Sequence, residues 1–302
     1  MRKTSMEQIM GIKAFLKQNM SMEGKSVEQL RQEQAASQAQ AVIPEGTITE
    51  KTTIAGMNAE WVKAANVVEH TKEFVLYFHG GGFVTGSCDT HRELAARISK
   101  ASAVPVLVIE YRLAPEYTYP AANEDCIAAY RWLLSNGFSE KNIVLGGEST
   151  GGYLVLETLL TLRDAGEPLP RAAFLLSPHT DFLYYNGKSY ITRANSDPMS
   201  SLYGTQKCAE RYFTSSLEDR RALCPLMEDL SLLPSLFIQV GDHEVILDDS
   251  TRLAARAEEA GVAVTLEVWE NMWHIFRFMA AMLPEGQQAI DNIGEFIKSQ
   301  LN

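Results

Sequence analysis

A serine between small residues stands at the junction of a predicted strand and a predicted helix. Ser149 is the centre of Gly147-Glu148-Ser149-Thr150-Gly151, which follows the apolar run at 142–145 and precedes a helical pattern that begins at Tyr153. Glycine two residues before and after the serine lets strand and helix approach closely around a sharp turn. The turn also places the hydroxyl at a helix start, where free amides favour negative charge. This context predicts a nucleophile elbow with Ser149 as the attacking group.

A serine hydroxyl is a weak nucleophile at neutral pH and needs a base supplied by another segment of the chain. His274 follows the last predicted strand, which ends at Val268, and we predict it as that base. A histidine after a strand is often only a structural hydrogen-bonding residue, and the elbow is what favours catalysis. His70 and His91 lie away from strand ends, and His79 lies in the glycine loop. His179 follows a strand that comes before the acid loop, and His243 adjoins the candidate acid.

The imidazole in turn needs an acid that orients it. The penultimate predicted strand ends at Val240, and the next residues include two carboxylates, Asp242 and Glu244. Either one could instead form the turn or cap the next helix. Turn logic favours Glu244, which lies nearer the start of that helix, and leaves Asp242 as the alternative. The chain order serine, acid, histidine is that of the α/β-hydrolases.

An acyl-transfer reaction also needs donors for the negative oxygen of its tetrahedral intermediate. The amide of Thr150 directly follows the serine. A second source is the loop Gly80-Gly81-Gly82, which follows the buried apolar strand predicted at 74–78. Glycines let backbone amides approach a ligand, although a triple glycine is more often only a flexible turn. Its place after a buried strand and upstream of the elbow predicts an oxyanion site.

Alternating strand and helix patterns must position these residues. After a hairpin at 47–62, strands are predicted at 74–78, 104–109, 142–145, 172–176, 235–240 and 262–268. Helices are predicted between them at 89–102, 121–135, 153 to about 166, 248–260 and 285–301, with Asp89 as the N-cap of the first. This alternation predicts an α/β fold with a mainly parallel, doubly wound sheet and helices on both faces.

Two segments depart from this alternation and are predicted to form a helical cap. Residues 1–45 have helical spacing and are interpreted as N-terminal cap helices, a mobile arm being the alternative. Residues 46–302 form the predicted catalytic domain. Within it, residues 182–224 lack a clean strand and are predicted to be an insertion with short helices that completes the cap.

The composition excludes several classes of function. The 302 residues carry a net charge of −11 and no cluster of Lys and Arg, which argues against a nucleic-acid partner. No apolar run is long enough to span a membrane, and no signal-peptide core is visible at the N-terminus. The four cysteines form no paired motif, so we expect reduced thiols, no metal site and a cytoplasmic location.

Several ordered blocks make a family resemblance specific. The sequence resembles the hormone-sensitive-lipase-like esterases, the HGGG group or bacterial family IV of the α/β-hydrolase superfamily, from about residue 74 to His274. The matching blocks are residues 77–83, 111–116 and 119–122, the elbow, residues 176–178 and 197–199, and the loops of Glu244 and His274.

This resemblance implies an α/β-hydrolase fold with a cap, oxyanion donors at Gly81, Gly82 and Thr150, and homodimers. It also implies substrates that are esters of short to medium acyl chains. The sequence departs from the family pattern at three positions: Glu148 and Thr150 replace the usual Asp and Ala beside the serine, and Glu244 replaces the usual Asp. The longer Glu244 must therefore be supported by a different turn.

The predicted reaction is carboxylic ester hydrolysis in two steps without a metal or organic cofactor. His274 deprotonates Ser149 as it attacks the ester, Glu244 stabilises the imidazolium, and water then hydrolyses the acyl-enzyme. Aromatic residues near these loops are candidates to line an apolar pocket, with ordinary core packing as the alternative: Phe83, Phe182, Tyr184, Tyr185, Tyr203, Trp273 and Phe276.

Two other functions compete with ester hydrolysis. The same fold also serves as a non-catalytic small-molecule receptor, because a fold does not fix a function. Such receptors typically lack one member of the catalytic set, whereas every role can be filled here. The same set could also hydrolyse small amides.

Overall fold

One mixed sheet organises the part of the chain that the computed structural model describes, residues 3–19, 24–38, 41–214 and 219–301. The predicted segments 1–45 and 182–224 each include a few residues outside these ranges. The strands are β1 (Ile48–Ile54), β2 (Met57–Lys63), β3 (Phe74–Phe78), β4 (Val106–Ile109), β5 (Ile143–Glu148), β6 (Ala172–Leu176), β7 (Ser235–Gly241) and β8 (Val264–Trp269).

Helices connect these strands and cover the sheet. They are α1 (Met6–Asn19), α2 (Val27–Gln38), α3 (Cys88–Ser102), α4 (Ala121–Ser135), α5 (Thr150–Asp164), α6 (Ser189–Thr192), α7 (Leu202–Tyr212), α8 (Arg220–Leu223), α9 (Leu247–Glu259) and α10 (Pro284–Leu301). Helices α6, α7 and α8 lie in the predicted insertion.

The strand order brings the predicted catalytic segments to one edge of the sheet. The order is β1-β2-β4-β3-β5-β6-β7-β8, and every pair from β4 to β8 is parallel, whereas β2 is antiparallel to both of its neighbours. The predicted mainly parallel sheet is therefore confirmed. Because β3, β5, β7 and β8 run in one direction, the loops after them meet at the carboxyl edge, where ligands bind in such sheets.

Apolar layers on both faces hold the sheet rigid beneath that edge. All five side chains of β3 and all six residues of β5 are buried, as expected for central parallel strands. Residues of α4, α5 and α9 pack in the core on one face. Residues of α3 and α10 pack on the other.

Helix α1 lies over the histidine loop. Its buried Ile9 and Leu16 pack with Trp273 and Phe276 in one apolar cluster. Lys13 donates a hydrogen bond to the carbonyl of Ser196, at 3.3 Å. None of the helices in the described ranges is long and apolar enough to cross a membrane.

Helix α2 is fixed to the glycine loop by one arginine. Arg31 donates to the carbonyl oxygens of Val84 and Ala114 and makes a bidentate ion pair with Glu116. The amide of Gly86 donates to Gln34 of the same helix at 2.9 Å. The N-terminal segment therefore contacts the two loops that the sequence analysis assigns to chemistry.

The start of α3 differs from the prediction. The helix begins at Cys88 with Ser87 as its N-cap, and the Ser87 hydroxyl and the Thr90 side chain form a capping box. Asp89, predicted as the cap, lies inside the first turn and pairs with Arg92. Ser87, two residues earlier, has a shorter side chain and a reciprocal partner in Thr90. The pattern of charged residues in the sequence did not reveal this pair.

Candidate active site

The elbow is a sharp turn between β5 and α5. Ser149 has φ 55° and ψ −120°, a conformation that costs an L-residue of order 1–3 kcal/mol unless its surroundings enforce it. Its amide donates to the carbonyl of Leu176 at 2.9 Å. A Cβ at Gly151 would stand 2.0 Å from the carbonyl oxygen of Phe78. The glycine therefore allows α5 to start directly against the end of β3.

We expect Gly151→Ala to lower the free energy of unfolding by about 2–3 kcal/mol, because a backbone clash of this kind cannot be relieved by a side-chain rotation. Gly11→Ala is the matched control. Gly11 is exposed within α1, with no atom within 4 Å of its Cβ position, so alanine should stabilise the helix slightly. Thermal unfolding of both variants measures the difference, and equal melting temperatures would contradict the close approach.

Ser149, His274 and Glu244 form one continuous chain of hydrogen-bond distances. His274 Nε2 lies 3.1 Å from Ser149 Oγ. On the other side of the ring, His274 Nδ1 lies 3.0 Å from Glu244 Oε2. Glu244 is fully buried and His274 is nearly so. The structure thus brings together three residues that are 30 to 125 positions apart in sequence.

The second carboxylate of the acid loop lies elsewhere. Asp242 accepts a hydrogen bond at 2.6 Å from the amide of Asn271, and the amide of His243 donates to Met272 at 3.0 Å. Asp242 therefore ties the acid loop to the histidine loop. Glu244, by contrast, faces the imidazole, and the distances favour it as the orienting acid.

The free oxygen of Glu244 is held from two sides. Glu244 Oε1 accepts from the amide of Gly241 at 2.6 Å and from the hydroxyl of Ser177 at 2.7 Å. These donors stabilise negative charge on a side chain that is shielded from solvent. They form the supporting turn that a glutamate, longer than aspartate by one methylene, needs at this position.

Opposing effects set the proton affinity of His274. Burial lowers the pKa of the imidazole, but the hydrogen bond and charge of Glu244, together with the charge of Asp197, raise the pKa above its ordinary value. The imidazolium of His274 therefore loses its proton at a higher pH than that of a solvent-exposed histidine. Only the neutral ring present above that pH can accept the proton of Ser149.

The glycine loop turns its amides and carbonyls in different directions. The Gly81 carbonyl accepts from the amides of Val84 and Thr85, at 3.1 and 3.0 Å. The Gly80 amide donates to the Glu148 carboxylate. Within the described residues, three further amides near the elbow donate no backbone hydrogen bond: those of Gly81, Gly82 and Thr150. These are the amides that were predicted as oxyanion donors.

Glu148 joins the elbow to the glycine loop. Besides the Gly80 amide, it accepts from Tyr77 at 2.5 Å and from His91 Nε2 at 2.8 Å. Burial raises the pKa of Glu148, but the charge and hydrogen bond of His91 hold the pKa below its ordinary value. Sequence reasoning dismissed His91 because it lies inside α3, far from any strand end, and no spacing rule connects it to Glu148.

Phe83 lies in an aromatic cluster next to the elbow. Its ring stacks on Tyr212 with centroids 4.1 Å apart and contacts Tyr153, Phe182 and Phe213. Tyr212 and Phe213 come from the end of α7 and were not among the predicted pocket residues. The predicted insertion therefore contributes directly to the buried apolar cluster beside the glycine loop.

The other predicted pocket residues occupy different environments. Trp273 and Phe276 are buried in the cluster under α1. Tyr185 packs between the rings of Tyr190 and His179, with centroids 5.7 and 6.2 Å away. Tyr184 is exposed. Their contact with a substrate remains a prediction.

Comparisons with known proteins find relatives that cover most of this chain. Residues 75–278 match a family model described as an alpha/beta hydrolase fold. An acetyl-hydrolase of Streptomyces hygroscopicus is 38% identical over 257 residues, which are 85% of this chain and 84% of the relative. An esterase of Acinetobacter venetianus is 34% identical, over 82% of this chain and 80% of its own.

A solved structure is similar over the whole chain. The crystal structure of an esterase from the bacterial hormone-sensitive lipase family superposes with a TM-score of 0.93 and 38% sequence identity, covering 100% of both chains. The match spans the sheet, the elbow and the helical segments above them, and it agrees with the resemblance in the sequence blocks. The chain is thus a member of the bacterial hormone-sensitive-lipase family, an esterase with the α/β-hydrolase fold.

Proposed function

We propose that this esterase hydrolyses short- to medium-chain carboxylic esters through an acyl-enzyme on Ser149. The observation that carries the proposal is the continuous relay from Ser149 through His274 to Glu244, with both distances near 3 Å. Nucleophile and base within hydrogen-bond reach, with the base oriented by a third group, are the requirements for an activated serine.

Acylation begins when Ser149 Oγ attacks the carbonyl carbon and His274 Nε2 takes the hydroxyl proton. Glu244 holds the imidazole by Nδ1 and stabilises the imidazolium without accepting a proton itself. The negative oxygen of the tetrahedral intermediate would accept hydrogen bonds from the amides of Gly81, Gly82 and Thr150. Loss of one such donor typically costs about 2.7–4 kcal/mol of transition-state stabilisation.

The imidazolium then protonates the leaving alcohol, and the C–O bond of the ester breaks. In the second half, His274 removes a proton from water, which attacks the acyl carbonyl, and the same histidine returns that proton to Ser149 as the acid leaves. Every proton is accounted for by one imidazole, so this chain's own residues suffice for the reaction.

The proposed acyl length rests on the surroundings of the glycine loop. The rings of Phe83, Tyr212, Phe182 and Phe213 are buried and fill the space beside it, which favours compact acyl groups over extended chains. The similarity to an acetyl-hydrolase points the same way.

A series of p-nitrophenyl esters from acetate to palmitate, together with p-nitroacetanilide, tests the proposal. We expect the highest kcat/KM for acetate to hexanoate, a steep loss toward palmitate, and much slower turnover of the anilide. Faster anilide than ester turnover would make the protein a small-amide hydrolase. Absence of turnover with saturable binding would make it a receptor.

A further inference from the structure

A buried arginine stands behind the proposed triad. Arg277 lies in the short 3₁₀ turn Phe276–Met279 that follows the histidine loop, and only 1% of its surface is exposed. Lone buried charges are costly, and an arginine without solvent normally has a specific partner. No motif in the sequence draws attention to this residue.

The contacts of Arg277 lead to the triad acid. One guanidinium nitrogen, Nη2, donates to Ser177 Oγ at 2.9 Å and lies 3.4 Å from the carbonyl oxygen of Gln239. Ser177 Oγ in turn donates to Glu244 Oε1 at 2.7 Å. The guanidinium also stacks on the ring of Phe276, 4.5 Å from its centroid. Two consecutive hydrogen bonds therefore connect the buried guanidinium of Arg277 to Glu244 Oε1, the carboxylate oxygen that does not face His274.

The charges around Arg277 explain how it remains a cation. Burial lowers the pKa of the guanidinium to about 10, and the acidic groups Glu244, Tyr77, Glu148 and Glu267 oppose that change. At neutral pH the side chain is therefore positively charged. Its positive charge lies among groups of the elbow, the acid loop and the edge strand, where it offsets their negative charge.

We propose that Arg277 is a positioning residue for the triad, which acts through Ser177 to fix the carboxylate of Glu244. This inference rests on the proposed role of Ser149, His274 and Glu244. Glu244 raises the pKa of His274 and so favours the imidazolium. A cation behind the carboxylate moderates that effect without touching the substrate.

The charges that face His274 agree in sign with this role. Glu244 and Asp197 raise the pKa of His274, whereas the positive charge of Arg277 lowers the pKa. His179 also faces the ring, but burial lowers its pKa to about 3, so it is neutral in the working range. Removing the Arg277 charge should therefore raise the pKa of His274, and the acidic limb of the activity profile should move to higher pH.

The test is the pH dependence of kcat/KM for p-nitrophenyl butyrate in wild type, Arg277→Met and Arg277→Lys. We expect Arg277→Met to move the acidic limb upward by about half a pH unit or more, and to lower the plateau about tenfold. Arg277→Lys keeps the charge and should leave the limb within about 0.2 pH unit of wild type. A merely structural arginine would lower the plateau in both variants and leave the limb in place, which would overturn the proposal.

Arg256→Met is the matched control for loss of an arginine. In the described part of the chain, Arg256 on α9 donates to the carbonyl oxygens of Leu226, Met227 and Glu228. The acidic limb of the Arg256→Met profile should match that of wild type. A shift equal to that of Arg277→Met would show that the effect is not specific to Arg277.

Ser177→Ala keeps the proposal falsifiable if Arg277→Met does not fold. Removal of this hydroxyl should lower kcat about tenfold with little change in KM, because the hydroxyl joins Arg277 to Glu244 and makes no contact with the proposed substrate surface. Wild-type kcat in Ser177→Ala would overturn the relay. Wild-type activity in Ser149→Ala would instead overturn the proposed function, whatever the Arg277 variants do.

Discussion

Ser149→Ala is expected to lower kcat/KM for p-nitrophenyl butyrate by about 10⁴-fold or more, leaving only what the oxyanion donors and binding contribute. Among the residues that the structure describes, the hydroxyl that hydrogen-bonds to His274 Nε2 is that of Ser149, at 3.1 Å, so another hydroxyl should not take its place. The loss should appear in kcat and not in KM, since the alanine variant still has the binding surface. Steady-state kinetics over a range of substrate concentrations measures both.

Ser299→Ala is a suitable control for this first variant. Ser299 is an exposed serine on α10 whose hydroxyl donates to the carbonyl of Phe296 at 2.7 Å, away from the elbow. Its kcat/KM should equal that of wild type. If Ser149→Ala retained more than about a tenth of wild-type activity while remaining folded, the acyl-enzyme on Ser149 would be excluded.

Glu244→Gln is expected to lower kcat about 10⁴-fold, by analogy with removal of the orienting carboxylate from other serine hydrolases. The amide preserves the size of the side chain, but it would no longer stabilise the imidazolium. With its oxygen toward the donors at Gly241 and Ser177, the amide would place its nitrogen against His274 Nδ1. Part of the loss therefore comes from the wrong imidazole tautomer, in which the nitrogen facing Ser149 carries the proton.

The adjacent carboxylate provides the control, because the sequence alone left it open as the acid. Asp242→Asn should change kcat only a few-fold, since Asp242 accepts the Asn271 amide and does not reach the imidazole. The ratio of the two effects distinguishes the assignments. A larger loss in Asp242→Asn than in Glu244→Gln would assign the orienting role to Asp242.

Local pattern was enough to predict the order of strands and helices and the spacing of the reactive loops. Apolar runs such as 74–78 and 172–176 became strands with the predicted bounds, because both faces of those strands are buried. Parallel pairing of neighbouring strands then brings their carboxyl ends to one edge, so the elbow at Ser149 and the position of His274 after a strand together predict that the two residues meet there.

The supporting contacts could not be predicted in this way, because they depend on packing between distant elements. His91 reaches Glu148 from the first turn of α3, and Arg277 reaches Ser177 across 100 residues. Neither side chain stands at a strand end or in a recognisable spacing. The same holds for Tyr212, which stacks on Phe83 only because α7 folds back over the glycine loop.

Reaction with a fluorophosphonate is the most direct test of the central claim, because it reports on an activated serine without any assumption about the natural ester. We predict one adduct per chain by intact mass, located on Ser149 by peptide mapping, and none in Ser149→Ala or in unfolded protein. His274→Ala should react far more slowly, since the hydroxyl loses its base. The absence of an adduct in the folded wild-type protein, or an adduct on another serine, would contradict the account.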